Sequence, residues 1–70
     1  MEFYKGDKVM FKKGYSKVND NCVYTVIGKC IAKNPDSGMW FTAMLYSHKN
    51  IQYVREIYDF NRCFTKIDIK

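Results

Sequence analysis

The sequence predicts an all-β domain of five short strands, with a short helical turn before the last strand. Three observations predict it. Turn residues recur at short intervals along the 70 residues, which suits many short strands. Several segments alternate apolar and polar residues with the period of two that a half-buried strand needs. The segment Met39-Trp40-Phe41-Thr42-Ala43-Met44-Leu45-Tyr46 is apolar on both faces of a strand. A strand in a one-core domain buries one face and wets the other, and a chain this short has room for about one modest core. Part of that apolar surface is therefore expected under a second element, as in a closed barrel, or against another molecule.

Each element has its own local reason. Lys8-Val9-Met10-Phe11-Lys12 follows the turn residues Gly6-Asp7 and places Val9 and Phe11 on one face, so a strand is expected over 8–12. Lys13 to Asn21 contains Gly14, Ser16, Asn19, Asp20 and Asn21 and reads as a long loop, with Tyr15 and Val18 available to fold back on the core. A second strand is expected over 22–32, with Tyr24, Val26 and Gly28 sharing a face with Cys22 and Cys30, and Val23, Thr25 and Ile27 sharing the other with Ile31. Gly28 marks a bulge or a sharp bend within it. Lys33-Asn34-Pro35-Asp36-Ser37-Gly38 is the clearest turn. The apolar strand 39–46 follows. Ser47-His48-Lys49-Asn50 reads as a four-residue hairpin loop, and 51–55 as the return strand. Between Glu56 and Phe64 the period changes: Ile57, Phe60 and Phe64 fall at helical spacing. That stretch makes one or two turns, too few to stand alone. Thr65-Lys66-Ile67-Asp68-Ile69 alternates cleanly and is expected as the last strand, 65–69.

This order resembles a small SH3-like barrel. The resemblance is carried by Gly6-Asp7-Lys8-Val9, by Val23-Tyr24-Thr25-Val26 and by Tyr53-Val54-Arg55-Glu56-Ile57, and it spans most of the chain as a single domain, 1–70. Small stand-alone proteins of this kind occur among phage and mobile-element products, and related barrels occur in KOW-type domains. What the resemblance implies is a fold and a genomic setting; function belongs to sites, not folds. Lys, Asn, Ile, Tyr and Phe supply 32 of the residues, the bias that AT-rich coding produces in many phages and bacteria.

Composition narrows the classes. A hydrophobic content of 47% argues for a folded chain. The N-terminal Met1-Glu2-Phe3-Tyr4-Lys5-Gly6 has no apolar h-region, and no apolar run reaches transmembrane length. The expectation is a cytoplasmic protein with no membrane partner. Three cysteines leave at least one unpaired. On one strand Cys22 and Cys30 would lie about 26 Å apart, beyond bridging reach. Cys22, Cys30 and Cys63 are expected as reduced thiols that act as small core residues.

The net charge is +5, and ten of the twelve basic residues are lysine. Residues 1–33 contribute +4 of it. Lysine suits non-specific phosphate contact, whereas arginine dominates bidentate base reading. On exposed strands lysine also discourages edge pairing, and a charge of this size is ordinary for a small soluble domain.

No chemistry-bearing constellation stands out. His48 is the only histidine and lies in the expected hairpin loop. The cysteines form no Cys-x-x-Cys pair, so no metal site and no cofactor are expected. Glu56 and Asp59 read as a solvated face or as charge partners for Arg55 and Arg62. No phosphate loop, nucleophile elbow or metalloprotease motif is present. The chain is expected to be non-enzymatic.

Two binding readings remain. The first uses the surplus of rings. Trp40, Phe41, Tyr46 and Tyr53 are the candidate protein-binding residues, with Trp40, Tyr46 and Tyr53 as one exposed cluster. The basic loop beside it favours an acidic partner, and action on a host component, as an inhibitor, is the setting the resemblance suggests. The alternative is a KOW-like nucleic-acid-binding module that uses Lys12, Lys13, Tyr15 and Lys17, where lysines meet phosphates and the ring stacks on a base. A homo-oligomer built on strand 39–46 is a third reading.

Overall fold

The computed structural model describes residues 2–16 and 21–67. Its elements are β1 (Lys8–Phe11), β2 (Tyr24–Lys33), β3 (Trp40–His48), β4 (Ile51–Glu56), α1 (Ile57–Cys63) and β5 (Phe64–Lys66). The strands form one antiparallel sheet in the order β4-β3-β2-β1-β5. β4 and β5 are its two edges, and the sheet does not close into a barrel. The expected end of the last strand, Asp68-Ile69, lies outside the described residues, as does Val18 of the long loop.

The core is largely aromatic. Phe3, Tyr24, Tyr46, Phe60 and Phe64 are buried together with Val9, Val26, Met44 and Cys63. Phe60 stacks on Phe64 with ring centres 4.5 Å apart, and Phe3 meets Phe60 edge to face at 5.1 Å. Tyr46 reaches Phe64 across the sheet at 5.1 Å. α1 supplies Phe60 and Cys63 to this core, which is why a helix of seven residues holds: packing of its apolar face replaces the cooperativity it is too short to have. The carboxylate of Glu56 caps it, accepting hydrogen bonds from the N–H groups of Tyr58 (2.9 Å) and Asp59 (3.0 Å).

Two details of the ladders correct the sequence reading. In β2, Val26 pairs with Tyr46 and Gly28 with Leu45, so Ile27 is an extra residue. The bulge expected at Gly28 is present, and Gly28 takes φ +153°, a value L side chains rarely adopt. It also exchanges the faces beyond it. Register puts Ile31 opposite Thr42 on the face of Val26 and Tyr46, and Cys30 opposite Ala43 on the other. The expected grouping of Cys30 with Tyr24, and of Ile31 with Thr25, is therefore reversed.

The second correction is the hairpin between β3 and β4. His48 pairs with Ile51, which leaves a two-residue turn, Lys49-Asn50, in place of the four-residue loop expected. Both residues have positive φ, 49° and 66°, as a type I′ turn requires. Ser47 and His48 belong to the ladder, and His48 Nδ1 donates to the carbonyl of Val23 at 3.0 Å.

β2 and β3 are much longer than their neighbours. β1 pairs with β2 only at Thr25 and Tyr24, and β4 pairs with β3 only from Ala43 onward. Among the described residues, Ile31–Lys33 and Trp40–Thr42 therefore pair only with each other and project as a two-stranded arm, in a molecule 40 Å long and 25 Å across. The tip is ordered by Asn34: its N–H donates to Met39 O, and its Oδ1 accepts from Asp36 N and Ser37 N.

Candidate protein-binding surface

The arm presents the most exposed apolar residues of the sheet. Trp40 is 65% exposed and Ile31 71% exposed, and Met39 beside Trp40 is similarly open. Lys33 pairs directly with Trp40 and holds its Nζ 5.7 Å from the ring centre. Lys29 lies on the same face, one alternation before Ile31. The result is an exposed apolar pair, Ile31 and Trp40, on one face, flanked by two lysines, on a ribbon that among the described residues has no further strand beside it. Asp36, at the tip, is the only acidic residue from Thr25 to Ser47.

The four expected residues do not form one site. Trp40 is at the arm. Phe41 is half-buried and pairs with Ala32 on the opposite face. Tyr46 is 3% exposed, packed among Tyr24, Phe60 and Phe64. The exposed cluster of Trp40, Tyr46 and Tyr53 is therefore corrected: Tyr46 belongs to the core. Tyr53 stacks on its rim with ring centres 5.4 Å apart. Tyr46 is six positions along the strand from Trp40, roughly 20 Å at the usual rise. Lys29, Ile31, Lys33 and Met39 were not singled out from sequence. Their signal was the alternation Lys29-x-Ile31-x-Lys33, hidden because the bulge changes which face it joins.

The alternative set is partly visible. Lys12 anchors the start of the loop: its N–H donates to Cys63 O at 2.8 Å, and Tyr15 N donates to Lys12 O at 3.1 Å. Lys12, Lys13 and Tyr15 are exposed, and Lys17 lies outside the described residues.

The polar network at the rim of the core is structural. Arg55 Nη1 donates to Asp59 Oδ2 at 2.8 Å, and Arg55 Nε donates to the Tyr46 hydroxyl at 3.2 Å. Its guanidinium lies over Phe11 and Phe64. Arg62 Nη2 donates to Asp59 Oδ1 at 2.6 Å. Hydrogen bonds from Arg62 and then Arg55 hold the Asp59 carboxyl below its ordinary pKa. This knot ties α1 to β4 and β3. Cys22, Cys30 and Cys63 are thiols. Among the described residues no three His, Cys, Asp or Glu side chains gather to hold a metal, and no helix is long and apolar enough to cross a membrane.

Comparison with protein-family models, with curated proteins and with solved structures finds no match to this chain.

Proposed function

We propose that this chain is a small, non-enzymatic protein-binding module that engages its partner through the β2–β3 arm. The observation that carries the reading is the exposed pair Ile31 and Trp40 on one face at the end of a projecting ribbon, with Met39 exposed beside it in sequence. Exposed apolar residues are common singly, but a contiguous set on a projecting element marks an interaction site. Tryptophan is the strongest anchor type in such interfaces. Lys29 and Lys33 flank the patch and favour an acidic partner. The strand order β4-β3-β2-β1-β5, with the helix between β4 and β5, supports the SH3-like reading of the fold. A phage or mobile-element setting, with a host component as target, follows from the sequence resemblance.

The test is a comparison of baits. An acidic partner is retained by the wild-type chain and by Lys12→Glu/Lys13→Glu, and lost by Trp40→Ala and by Ile31→Glu. Tyr15, exposed beside Lys12 and Lys13, favours the second reading, a KOW-like nucleic-acid-binding module. If that reading holds, the lysine variant loses binding to single-stranded RNA or DNA and the arm variants keep it.

A further inference from the structure

Along the arm, β2 becomes an edge strand. At its root the N-terminal segment still covers it: Gly6 N–H donates to Val26 O and Val26 N–H donates to Asp7 O, both at 2.8 Å. Beyond Val26, among the described residues, no backbone group bonds to its outer side. Hairpin geometry identifies which main-chain groups are open there. The two-residue turn closes on a hydrogen-bonded pair, His48 with Ile51. Bonded and non-bonded pairs then alternate along the ladder. β3 therefore turns Met44 and Tyr46 toward β4, and Phe41, Ala43 and Leu45 toward β2. Their β2 partners Ala32, Cys30 and Gly28 face β3 in return. Lys29, Ile31 and Lys33 turn their N–H and C=O groups outward, as Val26 does.

Open main chain and exposed side chains thus belong to the same three residues. Lys29, Ile31 and Lys33 are exposed on the face of Trp40. A strand added beside them sets its own side chains against a lysine, the isoleucine and a second lysine. Charge selects the occupant. Lysine on an edge repels a basic strand, and opposite charges attract across a strand pair. Lys33 has no ion pair among the described residues, and its Nζ lies 5.7 Å from the ring centre of Trp40. Lys29 shares its charge with Glu2, whose carboxyl is held below its ordinary pKa first by the Tyr4 hydroxyl and then by Lys29. A second copy does not fit: it carries +5, and no two of its seven acidic residues stand four apart.

We propose that the arm takes an extended acidic segment of another protein as an added strand beside β2, with carboxylates opposite Lys29 and Lys33 and an aliphatic side chain opposite Ile31. The segment runs antiparallel to β2, like every other pair in the sheet. Its pattern is acid-x-aliphatic-x-acid. Main-chain bonds to Lys29, Ile31 and Lys33 supply affinity, and the side chains on the arm face supply specificity. Trp40 lies across Lys33 from the added strand and holds that ammonium group in place. The inference rests on the reading of the arm as the protein-binding surface, and names the chemistry and conformation of what binds there.

The test titrates the full chain with the capped peptide Thr-Glu-Thr-Val-Thr-Glu-Thr, followed by amide resonances and amide exchange. Resonances of Lys29–Lys33 shift, and exchange at Ile31 and Lys33 slows as the peptide saturates. Cys30 and Ala32, already bonded to β3, serve as controls. N-methylation of the peptide valine removes an N–H aimed at Ile31 and abolishes binding. N-methylation of a threonine next to it, whose N–H points away, leaves binding intact. Lys29→Glu/Lys33→Glu, with circular dichroism unchanged, weakens binding by about tenfold or more and takes the peptide with lysines in place of glutamates instead. A valine-methylated peptide that still binds at the arm overturns strand addition and leaves the arm as the site. No binding at millimolar peptide also overturns this inference alone, because the arm reading stands or falls on loss of an acidic partner in Trp40→Ala. Slowed exchange at Ile31 and Lys33 with single-stranded DNA but not with the peptide overturns the acidic-segment assignment.

Discussion

Phe60 shows how much of this small domain rests on single side chains. It is fully buried and touches rings from the N-terminal segment, β3 and β5. Phe→Ala in a core costs about 3–5 kcal/mol. A 70-residue chain has roughly 4–10 kcal/mol in total at ordinary stability per residue. Phe60→Ala is therefore expected to remove about half of the stability, read as a urea midpoint lowered by roughly half. Glu56 is a milder case. Its carboxylate caps α1 through two N–H groups, and Glu56→Ala is expected to cost about 1 kcal/mol, read as a lower urea midpoint with the slope unchanged. Asp59 adds a pH dependence. Its folded pKa is depressed by Arg62 and Arg55, so the unfolded chain binds its proton first. The stabilisation is fully present above the unfolded value near 4 and is lost as pH falls through the lower folded value. Both ion pairs are partly solvated, which keeps the effect to about 1 kcal/mol or less. Asp59→Asn is expected to flatten the acid limb of the stability curve and to leave neutral-pH folding intact.

At the scale of elements, local pattern and tertiary context divide cleanly. Alternation in Lys8–Phe11 was enough to place β1, the hairpin turn before Ile51 was enough to place β4 as its return strand, and the helical spacing of Ile57 and Phe60 was enough to place α1, although Phe64, read with them, opens β5. Gly28 announced the bulge. What alternation does not carry is the consequence of the bulge, because the extra residue Ile27 changes the face of every later side chain in β2. That is why Ile31 and Lys33 were not read as neighbours of Trp40, and why half of the arm surface was missed. Tyr46 failed for a related reason. An apolar run has no period, so it does not say which residues reach the core. The Lys49-Asn50 turn was misjudged because neither residue is the glycine that usually marks a two-residue hairpin. Lys49→Asn with Asn50→Gly supplies that preferred pair. The double variant is expected to be more stable than the wild type by roughly 0.5 kcal/mol or more, measured as a higher urea midpoint, with the β3–β4 register unchanged.

Over the whole molecule, surface charge and surface rings are distributed differently. The lysines dominate the first half of the sequence, while the most exposed apolar residues of the sheet gather at the end of the arm. Protein binding at the arm and phosphate contact at the loop after β1 are therefore separable by salt. Nucleic-acid affinity that rests on lysines falls steeply as salt rises, whereas an apolar anchor such as Trp40 responds little. Trp40 also reports on its own surroundings, because it is the only tryptophan. Its ring is largely exposed, with Lys33 5.7 Å from the ring centre. A cationic neighbour at that distance concentrates anions beside the indole and repels cations. Iodide is therefore expected to quench its fluorescence readily and caesium poorly. The difference should shrink as salt approaches 1 M, where the screening length drops to about 3 Å. Lys33→Gln should narrow the gap between the two ions and leave quenching by neutral acrylamide unchanged. Docking of an acidic partner on the arm should cover the ring, shift its emission to shorter wavelength and suppress all three quenchers together. Equal quenching by iodide and caesium in the free protein would show that Lys33 does not sit over the ring. Partner binding without protection of Trp40 would move the binding surface away from the arm.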